Sequence, residues 1–360
     1  MRVAIDARQL GQGRGIARYL EEMLTALGQL EGDDRWLAVV PADRVVDLPT
    51  GIELRRTRRS SRALYGAAAL TGRPRLERLA GGADVCWLPA PAPVAVGRRT
   101  PYVLTVHDLS FETSPRDFTA YEQRWHRLAR PARLAARAAA VVVDSEATGA
   151  AIEQAGWPVE PQRITLIRGA PSTALTAAAE LDSASNKTPY LLYVGALEPR
   201  KGIATLAAAI PVARRAGLTA PLIVVGEGRD AALLEGVAGV KLVGRQSDSE
   251  LSRWYAGALA LVLPSTLEGF GLPPVEAASY GVASVVSDLP VLQETLKGAC
   301  LTFPVGDADA LAKALVLISG DAALRERLGA EAEAAVSTLS WAQSASQLRA
   351  VLAEAAERRR

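Results

Sequence analysis

Ala258-Leu-Ala-Leu-Val-Leu-Pro264 and, just beyond it, Glu268-Gly-Phe-Gly-Leu-Pro-Pro-Val-Glu276 decide the fold class of this chain. The first is an uncharged apolar run of strand length, as a buried strand requires. The second opens on a glycine-rich turn, and Pro273 and Pro274 suit the first positions of a helix that continues through Glu276 and Ala277. Strand, glycine turn and helix in direct succession form one unit of a parallel α/β sheet. On this reading Glu268 lies on the strand-to-helix loop and Glu276 in the first helical turn.

The same alternation extends both ways. Strands are expected at Val3–Ile5, Trp36–Val40, Val85–Leu88, Tyr102–Val106 and Val141–Val143 in the first half. The second half repeats them at Leu191–Val194, Leu222–Val225, Lys241–Val243, Leu259–Leu263 and Ala283–Ser287. Helical patterns cover Ala17–Leu27, Phe118–Ala139, Ala147–Ala155 and Ile203–Arg215. Two similar halves at a length of 360 residues imply two Rossmann-like domains. The boundaries read as 1–172 for the first domain and 173–188 for an Ala/Ser/Thr-rich linker. They continue as 189–340 for the second domain and 341–360 for a final amphipathic helix.

The chemistry of the quoted stretch is mixed. The amides of Gly269, Phe270, Gly271 and Leu272 lie at a helix start, where an anion is favoured. The flanking carboxylates are poor partners for phosphate and good acceptors for hydroxyls. A ligand carrying both phosphates and sugar hydroxyls fits, which describes a nucleotide sugar. An acid in a first helical turn also complements the helix dipole, so Glu276 alone does not decide this. Tyr190-Leu-Leu-Tyr-Val-Gly195, a strand, is followed by Ala196-Leu-Glu-Pro-Arg-Lys-Gly202 and a helix. Arg200 and Lys201 thus stand before a helix N-terminus, an unfavourable place for cations unless an anion compensates.

These segments resemble the nucleotide-sugar domain of retaining GT-B glycosyltransferases of family 4. Glu268 and Glu276 match that family's Glu-x7-Glu motif, and Gly195 to Lys201 matches its mannosyltransferase-like Gly-x-Leu-Glu-Pro-Arg-Lys segment. In the first half, Ile5-Asp-Ala-Arg8, Gly11-Gln-Gly-Arg-Gly-Ile-Ala-Arg-Tyr19, Thr105-Val-His-Asp-Leu109 and Val141-Val-Val-Asp-Ser-Glu146 follow in the family's order. The resemblance implies a GT-B fold, two Rossmann-like domains facing each other across a cleft, with the last helix returning to the N-terminal domain. It implies a retaining transferase that moves a hexose, of mannose or glucose type, from a nucleotide-diphosphate sugar to a hydroxyl acceptor. GDP-mannose is favoured as donor over UDP-glucose. The acceptor class is a glycan, a lipid-linked sugar or a small molecule.

The implied catalytic groups are His107, Glu268, Arg200 and Lys201. The implied donor-binding residues are Gly13, Gly15, Gly269, Phe270, Gly271, Leu272, Glu276 and Arg245, the last beside the base together with Gln246. Arg14, Arg18 and Asp108 are candidates on the acceptor side. Many members place an arginine directly after the glycine that stands here as Gly195. This chain has Ala196 there, so the diphosphate falls to Arg200 and Lys201. The alternatives are another sugar-nucleotide enzyme of this fold, an epimerase or a phosphorylase, and a non-catalytic sugar-nucleotide-binding partner subunit.

Only two histidines are present. His107 follows an apolar strand, where the active sites of open sheets cluster, whereas His126 sits mid-helix as a surface or packing residue. Asp307-Ala-Asp309 and Asp248-Ser-Glu250 each precede a helix and read as caps, not metal ligands. No metal and no cofactor is expected. Two cysteines, Cys86 and Cys300, lie in apolar runs without metal spacing and read as core thiols. No signal peptide and no membrane-spanning run is read, so a cytoplasmic place is expected, with the inner membrane face as a second one.

Net charge is only +2, with no sign of a nucleic-acid partner. Yet ten arginines lie between Arg55 and Arg99, opposed by Glu77 and Asp84 alone. Two expectations stand for this patch. One is a solvated face in an arginine-favouring chain, whose first lysine is Lys187. The other is weak, salt-sensitive contact with an anionic membrane or an acidic acceptor.

Overall fold

The computed structural model describes residues 1–11, 15–175 and 189–358. Gly13, Arg14 and most of the expected linker, 176–188, lie outside the described residues. Contacts divide the chain into two units, Met1–Gly169 with Ser340–Arg360, and Ala170–Leu339.

The described part of the first unit carries a parallel sheet of β1 (Arg2–Asp6), β2 (Arg35–Val40), β3 (Ile52–Arg56), β4 (Val85–Leu88), β5 (Tyr102–Val106), β6 (Ala140–Val143) and β7 (Ile164–Leu166). Their spatial order is β3-β2-β1-β4-β5-β6-β7. The central strands are apolar on both faces and buried throughout, because helices cover both sides of such a sheet. β3 was not expected. Its Ile-Glu-Leu-Arg-Arg sequence is charged, and Ile52 is its one fully buried residue, as an edge strand allows. β7, three residues long, also escaped the sequence reading.

The expected helix over Phe118–Ala139 is two helices, Ala120–Ala129 and Pro131–Arg137. Arg130 between them is left-handed at φ 49°, since Pro131 has no N–H to continue the first helix and disfavours a helical residue before it. The final helix, Trp341–Glu357, packs on the helix Gly15–Gly28 of the same unit. Ser344 Oγ donates to the Arg168 carbonyl at 2.6 Å, and Arg349 Nε meets Asp34 Oδ2 at 2.6 Å.

The second unit has β8 (Tyr190–Val194), β9 (Leu222–Val225), β10 (Val240–Gly244), β11 (Ala258–Leu263), β12 (Ser284–Ser287) and β13 (Leu301–Phe303). They form a parallel sheet in the order β10-β9-β8-β11-β12-β13. This repeats the winding of the first six strands of the other unit, which is the doubly wound Rossmann order. In each sheet the order reverses between two central neighbours, β1 and β4 or β8 and β11. The loops leaving the carboxyl ends of such strands diverge and leave a crevice for ligands.

Candidate functional site

Three of the four expected catalytic groups lie at the switch point of the second sheet. The loop after β8 makes a single 3-10 turn at Pro199–Lys201 and enters the helix Ile203–Arg215 through Gly202. Gly202 has φ +69°, and a Cβ there would stand 1.8 Å from the Pro264 carbonyl oxygen. Only glycine permits both the left-handed backbone and this approach. The β8 loop is thereby laid against the end of β11, and Thr266 N–H donates to the Arg200 carbonyl at 2.9 Å.

That approach brings Lys201 Nζ to 2.6 Å from Glu268 Oε1, with both side chains largely buried. Ser265 Oγ donates to the same oxygen at 2.6 Å. Glu268 is thus one anion that Lys201 meets in front of the helix, and loss of either partner would leave a buried charge at a cost of roughly 3–5 kcal/mol. Arg200 is half-buried, with Glu198 at 3.5 Å.

Glu276 is placed differently from the sequence expectation. The helix starts at Leu272, so Glu276 lies in its second turn and not its first. There the dipole explains little, since its influence fades beyond one turn. Glu276 is 4 % exposed and accepts a hydrogen bond from Tyr255 OH at 2.7 Å. Phe270 turns its ring into the core beside Val275 and Leu296, and its carbonyl accepts from Thr295 Oγ1 at 2.9 Å. Its ring is thereby a packing group, and any part it takes in the turn falls to its main chain. Leu272 is half-buried against the same core. Arg245, at the end of β10, is exposed and lies 3.3 Å from Glu227. Gln246 beside it accepts from Trp254 Nε1 at 3.2 Å.

The fourth group, His107, belongs to the first unit. β5 and β6 pair with Val106 opposite Val143, so the next residues on each strand, His107 and Asp144, emerge side by side. Nδ1 of His107 lies 2.7 Å from Asp144 Oδ2, and Nε2 lies 2.9 Å from the Pro89 carbonyl oxygen. With acceptors on both nitrogens the ring is set up to carry two protons. Burial works against the charged form, yet the Asp144 carboxylate outweighs it and the His107 pKa is raised. Tyr19 presses on the ring edge-on at 4.7 Å between centroids. Asp108 points its Oδ1 back to Ser110, accepting from N at 2.9 Å and from Oγ at 2.6 Å. Gly15 opens its helix, and Arg18 sits half-buried one turn on.

Several groups were not singled out from sequence. Asp144, Tyr255 and Ser265 each hold an expected site residue in place. Arg8, at the end of β1, is another. Its guanidinium lies 3.3 Å from Asp6 and is packed between Tyr65 and Trp125, at 5.2 and 4.9 Å from their rings. Tyr65 OH also donates to Asp6. The register of β5 against β6 would have exposed Asp144, but pairing of non-adjacent segments is not written in one sequence.

His126 is a packing residue, stacked on Phe111 at 5.0 Å. Asp307 caps the helix Ala308–Gly320 through the Ala310 N–H, and Ser247, one residue before Asp248, caps the next helix with Glu250 reciprocating. Cys86 is buried and Cys300 half-buried. Among the described residues, no group of three His, Cys, Asp or Glu side chains is placed to hold a metal ion. No described helix is long and apolar enough to cross a membrane.

Residues 13–170 match the family model for Glycosyltransferase Family 4, and residues 188–321 match that for Glycosyl transferases group 1. The chain is 34 % identical over 163 residues to O-antigen chain mannosyltransferase B of Escherichia coli, covering 42 % of each. It is 32 % identical over 208 residues to phosphatidyl-myo-inositol mannosyltransferase of Mycobacterium tuberculosis, covering 53 % of this chain and 55 % of the relative. The chain thus spans about half the length of the curated relatives it matches. In fold it is similar to sucrose-phosphate synthase of Thermosynechococcus elongatus, with TM-score 0.73 at 21 % identity over 98 % of both chains.

Proposed function

We propose, from the premise that the chain belongs to the family 4-like GT-B glycosyltransferases, that it transfers a hexose from a nucleotide-diphosphate sugar to a hydroxyl acceptor. The observation that carries this reading is the Lys201–Glu268 contact of 2.6 Å at the switch point, with buried Glu276 on the helix that follows. A cation, a carboxylate and a second carboxylate around one strand end suit a ligand with a diphosphate, a sugar and a ribose.

As the glycosidic bond breaks, negative charge grows on the nucleoside diphosphate. Arg200, Lys201 and the main chain at Gly269–Leu272 are assigned to that charge. A single well-placed donor of this kind is worth about 3–4 kcal/mol in acyl transfer, and a similar order is expected here. Glu268 is assigned to hydroxyls of the donor sugar, Glu276 to the ribose, and Arg245 to the base side. His107 is the group of the first unit assigned to the transferred sugar, with Asp144 fixing its orientation and charge. Fixed cations take the place of a metal. We assign retention by a front-face route, in which the leaving phosphate accepts the proton of the acceptor hydroxyl, and no carboxylate acts as nucleophile.

GDP-mannose is the first donor to test, because both curated relatives are mannosyltransferases by name and the Pro199-Arg-Lys201 segment resembles the mannosyltransferase-like branch. UDP-glucose is second. A cytoplasmic place, with access to the inner membrane face, goes with a nucleotide-sugar donor. The test is a thermal-shift panel of GDP, UDP, ADP and TDP, followed by nucleotide release from the matching sugar nucleotides with candidate acceptors. A bound nucleotide raises the midpoint in proportion to its affinity. No shift with any of the four, and no release, would refute the transferase reading.

A further inference from the structure

The arginine-rich stretch closes on a cavity. β3, the loop after it, the helix Ser61–Thr71 and the short helix Leu76–Leu79 surround a volume of ≈ 740 Å³ in the first unit. Six guanidinium side chains line it: Arg56, Arg58, Arg59, Arg73, Arg75 and Arg78. Leu64 and Leu79 contribute apolar wall. The volume falls within the range of roughly 300–1,000 Å³ usual for small-molecule sites.

The charge inside is not cancelled by the protein. Of the two acids in the stretch, Glu77 accepts from the Gly97 N–H at 3.3 Å and Asp84 from the Arg2 N–H at 2.7 Å. Arg55 pairs with Glu53 at 2.8 Å, and Arg62 lies over the Tyr121 ring, so these two arginines are engaged elsewhere. None of the six lining arginines makes an ion pair with a described carboxylate; Arg56 donates to the Arg44 carbonyl at 2.8 Å.

The walls are also held. Thr57 N–H donates to the Val40 carbonyl and Ala42 N–H to the Arg59 carbonyl, both at 2.9 Å, which ties the loop to the end of β2. Asp43 Oδ1 accepts from Ser61 N and Oγ at 2.8 Å each, and Leu76 N–H donates to the Ala95 carbonyl at 2.9 Å. Like charges gathered on a fixed frame repel unless an anion joins them. Arg56, Arg58, Arg59, Arg73 and Arg78 are exposed and Arg75 is half-buried, so a ligand would meet them from the open side of the cavity.

We propose that this cavity binds a phosphoryl-bearing ligand, a phosphate monoester or a diphosphate. Guanidinium forks match the tetrahedral oxygens of such a group in pairs, which an ammonium cannot do. Every residue of the site belongs to the first unit, and its ligand is distinct from the nucleotide assigned to the second.

The test is calorimetric titration of the full chain with inorganic pyrophosphate at constant ionic strength. It is done in an Arg200→Gln/Lys201→Gln background, so that the second unit does not compete. One-to-one saturable binding is expected. Arg58→Ser/Arg73→Ser should weaken it at least tenfold, since hydrogen bonds to charged groups are the strong ones. Arg98→Ser/Arg99→Ser removes the same charge from exposed arginines of the same stretch outside the cavity, and should change affinity less than about twofold, the screened share of a distant charge. Absence of saturable binding, or equal weakening by the two pairs, would overturn the proposal. Vesicles of phosphatidylcholine doped with phosphatidic acid, against vesicles matched in surface potential with phosphatidylserine, separate the sources. Selective retention of the first places the phosphate on a lipid, and its absence places it on a soluble ligand.

Discussion

Asp144→Asn is the sharpest probe of the first unit, because it keeps the shape of the side chain and removes its charge. The carboxylate faces His107 Nδ1 at 2.7 Å, inside a pocket where the imidazole side chain is 13 % exposed. A hydrogen bond to a charged partner is worth about 1.5–3 kcal/mol, so loss of the carboxylate charge should lower the His107 pKa. Burial, which now opposes the charged ring, would then prevail. With two histidines in the chain, a proton NMR titration reads both without ambiguity. His126 is the internal control, since burial and Arg8 lower its pKa independently of Asp144. Stability should follow with a definite sign. Folded His107 keeps its proton to higher pH than the unfolded chain does, so its contribution is complete below the ordinary histidine value near 6.5 and is lost as pH rises through the folded value. The urea midpoint of the Asn variant should therefore not fall over that window. A His107 titration that does not move downward would refute the coupling, and so would equal movement of both histidines.

Arg200→Ala and Lys201→Ala should each lower turnover at least about a hundredfold with circular dichroism unchanged, and near-native turnover in the double variant would remove the diphosphate assignment. Glu276→Ala should chiefly raise KM for the donor and Glu268→Ala chiefly lower kcat, because uniform binding and transition-state contacts separate in that way; matching kinetic signatures would count against the division. Activity should survive excess EDTA, and loss of activity restored by magnesium or manganese would reveal a metal role for residues assigned here to other work.

Local pattern made much of the fold legible. Tyr190–Val194 and Ala258–Leu263 are short apolar runs bounded by glycine and proline, and such runs have few ways to be satisfied other than as buried parallel strands. Ile52–Arg56 was invisible for the opposite reason. An edge strand needs only one buried face, so Glu53, Arg55 and Arg56 are tolerated and the apolar signal disappears. The break at Arg130 follows from Pro131, which cannot continue the helix before it, although Phe118–Ala139 reads as one helical pattern.

The site divides along the same line. Residues that act through local chemistry, such as the Gly-Phe-Gly turn and the Pro-Arg-Lys turn, announce themselves by type and spacing. Residues that act by holding another residue do not. Tyr255 is 21 positions from the Glu276 it supports, and Asp144 is 37 positions from His107. Each pair is created by register or packing, so neither spacing has meaning in the sequence. The constraint becomes visible only once the sheet order is known. β5 and β6 are neighbours, Val106 faces Val143, and whatever follows them must meet at the carboxyl edge. A histidine and an aspartate in those two places cannot avoid each other, and burying them together is costly unless they share a proton. That cost is the reason to propose that Asp144 and His107 act as one unit, and it is what Asp144→Asn tests.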